Sequence, residues 1–157
     1  MSDNIRVFVG QAAPWFFGHM RRIDNLQFCR DRSVLSGSVR DEEFTRLALL
    51  NCAFEEVRFE LRGAVDKHGR GRLQLAIFGN LGLTCQRCLE PLSWQLDVNT
   101  QYVLASNPQG VDFAGEDEWD VIAIDRQMSV EGLIEDQIIL ELPMIPRHET
   151  CDLPASN

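Results

Sequence analysis

The sequence predicts an α+β fold: an antiparallel β meander curled into a small barrel-like sheet, with a helix before it and a C-terminal helix packed on it. Three observations predict this. Between Val57 and Leu104, apolar residues recur at every second position in three long runs, the period of strands that bury one face. Asp66-Lys67-His68-Gly69 separates the first two runs as a hairpin turn, and the Cys85-Gln86-Arg87-Cys88 turn separates the second from the third. On either side of this block the period lengthens to that of a helix.

Ile5-Arg6-Val7-Phe8-Val9 alternates as a first strand. Ala13 to Phe17 is apolar and irregular, with aromatics that would pack on the domain. The arginine-bearing segment of about 14–40 carries Arg21, Arg22, Arg30, Arg32 and Arg40, among strand-like pieces at Leu26–Cys29 and Val34–Val39. Asp41 to Asn51 reads as a helix, capped by Ser38 or Asp41, with Phe44, Leu47 and Ala48 on one face. In the first long strand Val57, Phe59, Leu61, Gly63 and Val65 alternate with Arg58, Glu60, Arg62 and Ala64. Leu73, Leu75, Ile77, Leu81 and Leu83 form the apolar face of the second, where Gly79 and Gly82 allow a bulge or bend. Leu92, Trp94, Leu96, Val98, Tyr102 and Leu104 form that of the third.

The Pro-, Gly- and acid-rich stretch of about 107–120 is expected to be a mobile loop. Val121–Ile124 follows as a short strand. Ser129 can cap a helix running to about Leu142, with Val130, Ile134 and Ile138 on one face; Gly132 weakens it and Pro143 ends it. There is no internal repeat and no low-complexity tract.

At 157 residues, 45% hydrophobic and 25% charged, the chain is expected to be a single domain, 1–157, of a soluble globular kind. No apolar run approaches the roughly 20 residues of a membrane span, and the first residues lack the pattern of a signal peptide. Five cysteines are better suited to thiols in a reducing cytoplasm than to a disulfide framework. A net charge of −9 and a pI of about 4.7 argue against a protein that simply coats nucleic acid. The charge is uneven, however. Residues 101–157 hold 2 arginines against 12 acids, leaving about +1 for the rest. Nearly all the basic groups are arginine, the better donor for bidentate phosphate contacts.

The cysteine turn is the chain's most specific feature. Cys85 shares the parity of Leu81 and Leu83, and Cys88 that of Leu92 and Trp94, so a turn in register points both thiols to one side. With His148 and Cys151 they make a Cys3His set suited to tetrahedral zinc. Two other readings stand beside it: inert, half-buried thiols of a turn, and a dithiol redox pair, which lacks a helix N-terminus and a thioredoxin-like pattern. Cys29 and Cys52 read as core residues. Glu135, Asp136 and Glu141 read as a solvated helix face rather than an acid/base pair. His68-Gly69-Arg70-Gly71-Arg72 reads as a turn, and no catalytic constellation is present. Arg21, Arg22, Arg30 and Arg32, near Phe28, Trp15, Phe16 and Phe17, carry the best nucleic-acid signal.

Cys85-Gln86-Arg87-Cys88-Leu89-Glu90-Pro91, then Leu133 through Pro143, then Pro146-Arg147-His148 and Cys151 resemble the YceD family, the large ribosomal RNA subunit accumulation proteins of bacteria and plastids. The resemblance runs from about Asp41 to Cys151. It implies a cytoplasmic, non-enzymatic ribosome-biogenesis factor that supports accumulation of 23S ribosomal RNA. Relatives richer in cysteine after the Leu-Pro motif favour metal binding there, whereas this chain keeps only His148 and Cys151. From the charge asymmetry, the arginine-bearing part is expected to contact ribosomal RNA and the acidic last third a basic ribosomal protein. The rival reading is a zinc-stabilised protein-interaction module with no direct RNA contact.

Overall fold

The structure, a computed structural model, describes residues 21–107 and 119–151. The expected strand at Ile5–Val9, the Ala13–Phe17 aromatics and most of the acidic loop lie outside the described residues. The elements run β1 (Arg22–Ile23), α1 (Asn25–Arg30), β2 (Val34–Val39), a 3-10 turn (Asp41–Glu43), α2 (Thr45–Leu49), β3 (Val57–Val65), β4 (Gly71–Thr84), β5 (Pro91–Ala105), β6 (Asp120–Ala123), β7 (Met128–Ser129) and α3 (Val130–Glu141).

The α+β class is as expected. The three long strands lie where the two-residue period puts them, and they sit side by side in a five-stranded sheet of order β2-β3-β4-β5-β6. Val57, Phe59 and Leu61 of β3 and Leu73, Leu75 and Ile77 of β4 are buried, whereas Arg58 and Arg62 are exposed. Each such aliphatic side chain contributes roughly 1.5–3 kcal/mol by leaving water.

Two parts of the expectation need correction. The sheet does not close into a barrel: β2 and β6 are its edges. Nor is it a pure meander, because β6 pairs with β5 in parallel, Tyr102 opposite Asp120 through Ala105 opposite Ala123. A parallel neighbour needs a long connection, and residues 106–119 supply it. A separate two-stranded sheet joins β1 to β7, with Arg22 opposite Ser129.

The helices differ in instructive ways. Leu26–Cys29, which resembles a strand in sequence, lies within α1. The Asp24 side chain accepts the Gln27 N–H at 2.9 Å, and the far end closes as Arg32 N–H donates to Cys29 O and Ser33 N–H to Phe28 O. This reciprocal C-terminal closure places Arg32 in the left-handed region, at φ 49°. The expected helix at Asp41–Asn51 is split. Phe44 is extended, at φ −121° and ψ 112°, and its buried ring sits 5.9 Å from that of Phe54. Burying that ring outweighs helix continuity. Asn51, at φ 53°, ends α2, a conformation asparagine tolerates. α3 follows the expected span and buries Val130, Ile134 and Ile138.

The chain divides into two compact units. One draws on Met1–Gly37, Glu60–Ala76 and Asn99–Val130, the other on Ser38–Phe59, Ile77–Val98 and Glu131–Asn157. In the first, the fully buried Asn25 ties the start of α1 to the end of β6: its amide donates to Ala123 O at 2.9 Å and accepts from Asp125 N–H at 3.0 Å. In the second, α2, α3 and the cysteine turn are found together.

Candidate metal centre

β4 delivers Cys85 on the buried side of the sheet, as its parity with Leu81 and Leu83 requires, and the thiol is fully buried. The turn that follows is held by its own backbone: Cys85 N–H donates to Glu90 O and Leu89 N–H to Cys85 O, both at 3.0 Å. Leu89 takes a left-handed φ of 65° to complete it. The segment after α3 is fastened here by a backbone bond, Gln86 N–H to Pro146 O at 2.8 Å. That bond brings His148 and Cys151 to the turn.

The four donor atoms of Cys85, Cys88, His148 and Cys151 lie within 4.8 Å of one another. Cys85 Sγ is 3.8 Å from Cys151 Sγ, and Cys88 Sγ is 3.3 Å from His148 Nδ1. With metal–sulfur bonds near 2.3 Å and metal–nitrogen bonds near 2.0–2.1 Å, a tetrahedron has edges of about 3.8 Å between sulfurs and about 3.5 Å between sulfur and nitrogen. These two separations fit those edges. They do not fit a disulfide, whose sulfurs are about 2.05 Å apart, and all five cysteines are free.

The surroundings fit a metal too. His148 Nε2 lies 3.1 Å from Pro91 O. A ring nitrogen held by a backbone carbonyl, with the other nitrogen facing the Cys88 thiol, is the usual support for a ligating histidine. Burial acts to raise the Cys85 thiol, but backbone N–H groups of Cys88, His148 and Arg87, together with the Cys88 thiol, bring it down to about 5. Burial and the two neighbouring cysteines push Cys151 the other way, to about 11. The turn and the C-terminal segment together thus favour the Cys85 thiolate. The residues present can hold a metal ion.

The other sites named from sequence are placed as follows. Arg21 and Arg22 lie at β1, Arg30 in the last turn of α1 and Arg32 just beyond it; all four side chains are exposed. Arg22 Nη1 donates to Gln127 O at 3.3 Å. Arg70 and Arg72 are occupied at the hairpin turn, with Asp66 Oδ2 at 2.7 Å from Arg70 Nε and 3.0 Å from Arg72 Nε. The Arg72 guanidinium also stacks 3.8 Å over the Trp119 ring. Cys29 and Cys52 are buried core residues, as expected.

Sequence reasoning missed Glu135. The solvated-face reading holds for Asp136 and Glu141, both exposed, but Glu135 is buried. Its Oε1 accepts the N–H groups of Arg46 at 2.9 Å and Leu47 at 3.3 Å. Its Oε2 pairs with Arg46 Nη2 at 2.8 Å, while Asp136 takes Nη1 at 2.6 Å. Glu135 therefore caps α2 from 89 residues away. Its place beside Ile134 at the edge of the apolar face was the available signal.

Comparison with protein-family models gives a match to the family described as Large ribosomal RNA subunit accumulation protein YceD, over residues 73–157. Neither the curated proteins nor the solved structures gave a match. The matched span holds all four donor residues as well as Glu135. It covers more than half of the 157 residues, and the chain therefore belongs to the YceD family.

Proposed function

We propose that this protein is a non-enzymatic cytoplasmic factor of large-subunit assembly that supports accumulation of 23S ribosomal RNA, with one structural zinc ion fixing its C-terminal segment to the sheet. Family membership is the observation that carries the reading. Zinc is favoured by the donor set: three thiolates and an imidazole select it over hard cations. Four protein donors fill a tetrahedron and leave no position for an activated water, which suits a structural site rather than a hydrolytic one. When bound, the ion cross-links the turn to the tail; Gln86, Leu89 and Pro91 hold the ligands through their backbone.

RNA contact is assigned to Arg21, Arg22, Arg30 and Arg32, whose exposed guanidinium groups suit phosphate recognition. A basic ribosomal protein is the second partner in this reading. No helix among the described residues is long and apolar enough to cross a membrane.

Co-fractionation with large-subunit precursors at low salt tests the function. Recovery of neither ribosomal RNA nor basic ribosomal proteins overturns it. Neutralising the four arginines should flatten the salt dependence of RNA binding; an unchanged slope removes that patch. Elemental analysis with a Cys88→Ser control tests the ion. Partner binding that survives nuclease but not chelator would favour the protein-interaction reading over RNA contact.

A further inference from the structure

We propose that a groove beside the metal centre is the docking site for an extended, arginine- or lysine-bearing segment of a partner protein. The groove lies within the second compact unit and has a volume of about 960 Å3. Phe54, Leu81, Pro91 and Leu92 supply its apolar lining, and Asp41, Glu42, Glu55 and Glu56 its charge; among the described residues Arg40 is the one cation lining it.

The construction is deliberate in its backbone. Ala53 and Gly82 form an antiparallel bridge, exchanging N–H bonds at 3.0 and 2.6 Å, which fixes the Ala53–Glu56 wall against β4. Next to this wall, Gly79 leaves room for Val57 at the start of β3: a Cβ there would meet Val57 Cγ2 at 2.9 Å. The opposite wall begins at Pro91, whose carbonyl faces His148 Nε2, so groove and metal centre share a residue.

The lining's charges select the occupant. One Asp41 oxygen is engaged by Phe54 N–H at 3.3 Å, and Glu42 lies 3.8 Å from Arg40. Glu55 and Glu56 are exposed, and among the described residues neither has an ion-pair partner. Unpaired carboxylates over an apolar floor suit a chain that offers cations beside aliphatic side chains, and they repel phosphate. Among the described acids of the last third, Asp120, Glu141 and Glu149 are exposed, but several others are engaged. Glu131 and Glu135 are buried, Asp136 is paired with Arg46, and Asp125 accepts Gln127 N–H. The groove is therefore the surface this proposal assigns to the basic partner.

The test is fluorescence anisotropy with a labelled peptide of alternating arginine and valine, at low salt. Paired Glu55→Gln and Glu56→Gln substitutions should weaken binding about tenfold, and paired Asp120→Asn and Glu141→Gln, with the same charge change elsewhere, less than twofold. Three results overturn the proposal: equal losses in the two pairs, preference of the wild-type groove for oligouridine, or self-association abolished by the Glu55 and Glu56 changes, which would assign the groove to a second copy. The proposal rests on the reading that a basic protein is a partner, and the two fail separately. Recovery of basic ribosomal proteins without peptide binding overturns the groove alone; peptide binding without ribosomal co-fractionation overturns the assembly reading alone.

Discussion

In the turn before β4, Asp66 accepts the N–H groups of His68 and Arg70 and pairs with the Arg70 and Arg72 side chains, none more than six residues away. In the turn after β4, Cys85 and Cys88 meet donors 66 and 60 residues further on. The first turn is complete once its own residues are in place. The second is complete only when the C-terminal segment has arrived and its four donors can close around a cation. Closing a loop of that length is costly in chain entropy, so a metal that holds it closed should contribute more than any contact inside a short turn.

Metal removal is therefore the largest expected effect. A strong chelator, or Cys88→Ser, should cost several kcal/mol of stability, a melting-temperature fall of the order of 10 °C for a chain of this size. Hydrogen exchange then separates the turns. The amides of Gln86 and Leu89, bonded to Pro146 O and Cys85 O, should lose protection, while those of Asp66 and Gly69, bonded to Arg70 O and Asp66 O, keep theirs. Equal loss in both turns would show that the ion stabilises the whole chain rather than one junction.

Glu135 offers a long-range junction without metal. Glu135→Ala should cost about 2–3 kcal/mol in denaturant melts, because it uncaps two α2 amides and strips Arg46 of a partner. Arg46→Ala should cost less, since that side chain is half exposed and the caps remain. If the two substitutions cost the same, the ion pair rather than the cap is what matters.

The same division explains what could be read in advance. β3, β4 and β5 were legible because a half-buried strand writes its burial into alternate residues, and the Asp66 turn because its chemistry is local. That Cys85, Cys88, His148 and Cys151 come together was legible by spacing and residue type, although not the Pro91 carbonyl beside His148, since a backbone acceptor leaves no mark in sequence. The split at Phe44 depended on the Phe54 ring, and Glu135 on the open amides of α2, both distant in the chain. The parallel placement of β6 carried no signal, because four residues of strand are the same in either direction. The groove acids carry no signal of their own, because Asp41 stands where a helix cap is expected and Glu42, Glu55 and Glu56 belong to no motif.

Asp66 gives the local turn a pH signature. Burial acts to raise its carboxyl, but the surrounding N–H groups of Arg70, His68 and Arg72 hold it well below the usual carboxylate range. Its folded pKa is depressed, so its contribution is fully present above the unfolded value near 3.9 and is lost as pH falls toward the folded one. Asp66→Asn should cost about 2 kcal/mol at pH 7, and the gap to wild type should close progressively below about pH 4. A pH-independent gap would mean that the cost comes from the turn's shape rather than its charge.

The smallest effect tests the backbone of both turns at once. Each contains a left-handed residue, Gly69 at φ 79° in the first and Leu89 at φ 65° in the second. A Cβ at position 69 would meet nothing within 4 Å, so Gly69→Ala measures backbone strain alone and should cost about 1 kcal/mol. Leu89 already carries that strain and is 65% exposed, leaving little burial to lose. Leu89→Gly should therefore stabilise the protein, by about 0.5 kcal/mol once glycine's greater unfolded-state entropy is offset. A loss of stability instead would show that the Leu89 side chain supports the cysteine turn, so that strain there is retained for packing. A gain in stability with unchanged metal content would show that the turn needs only the left-handed backbone, which leucine supplies at a cost.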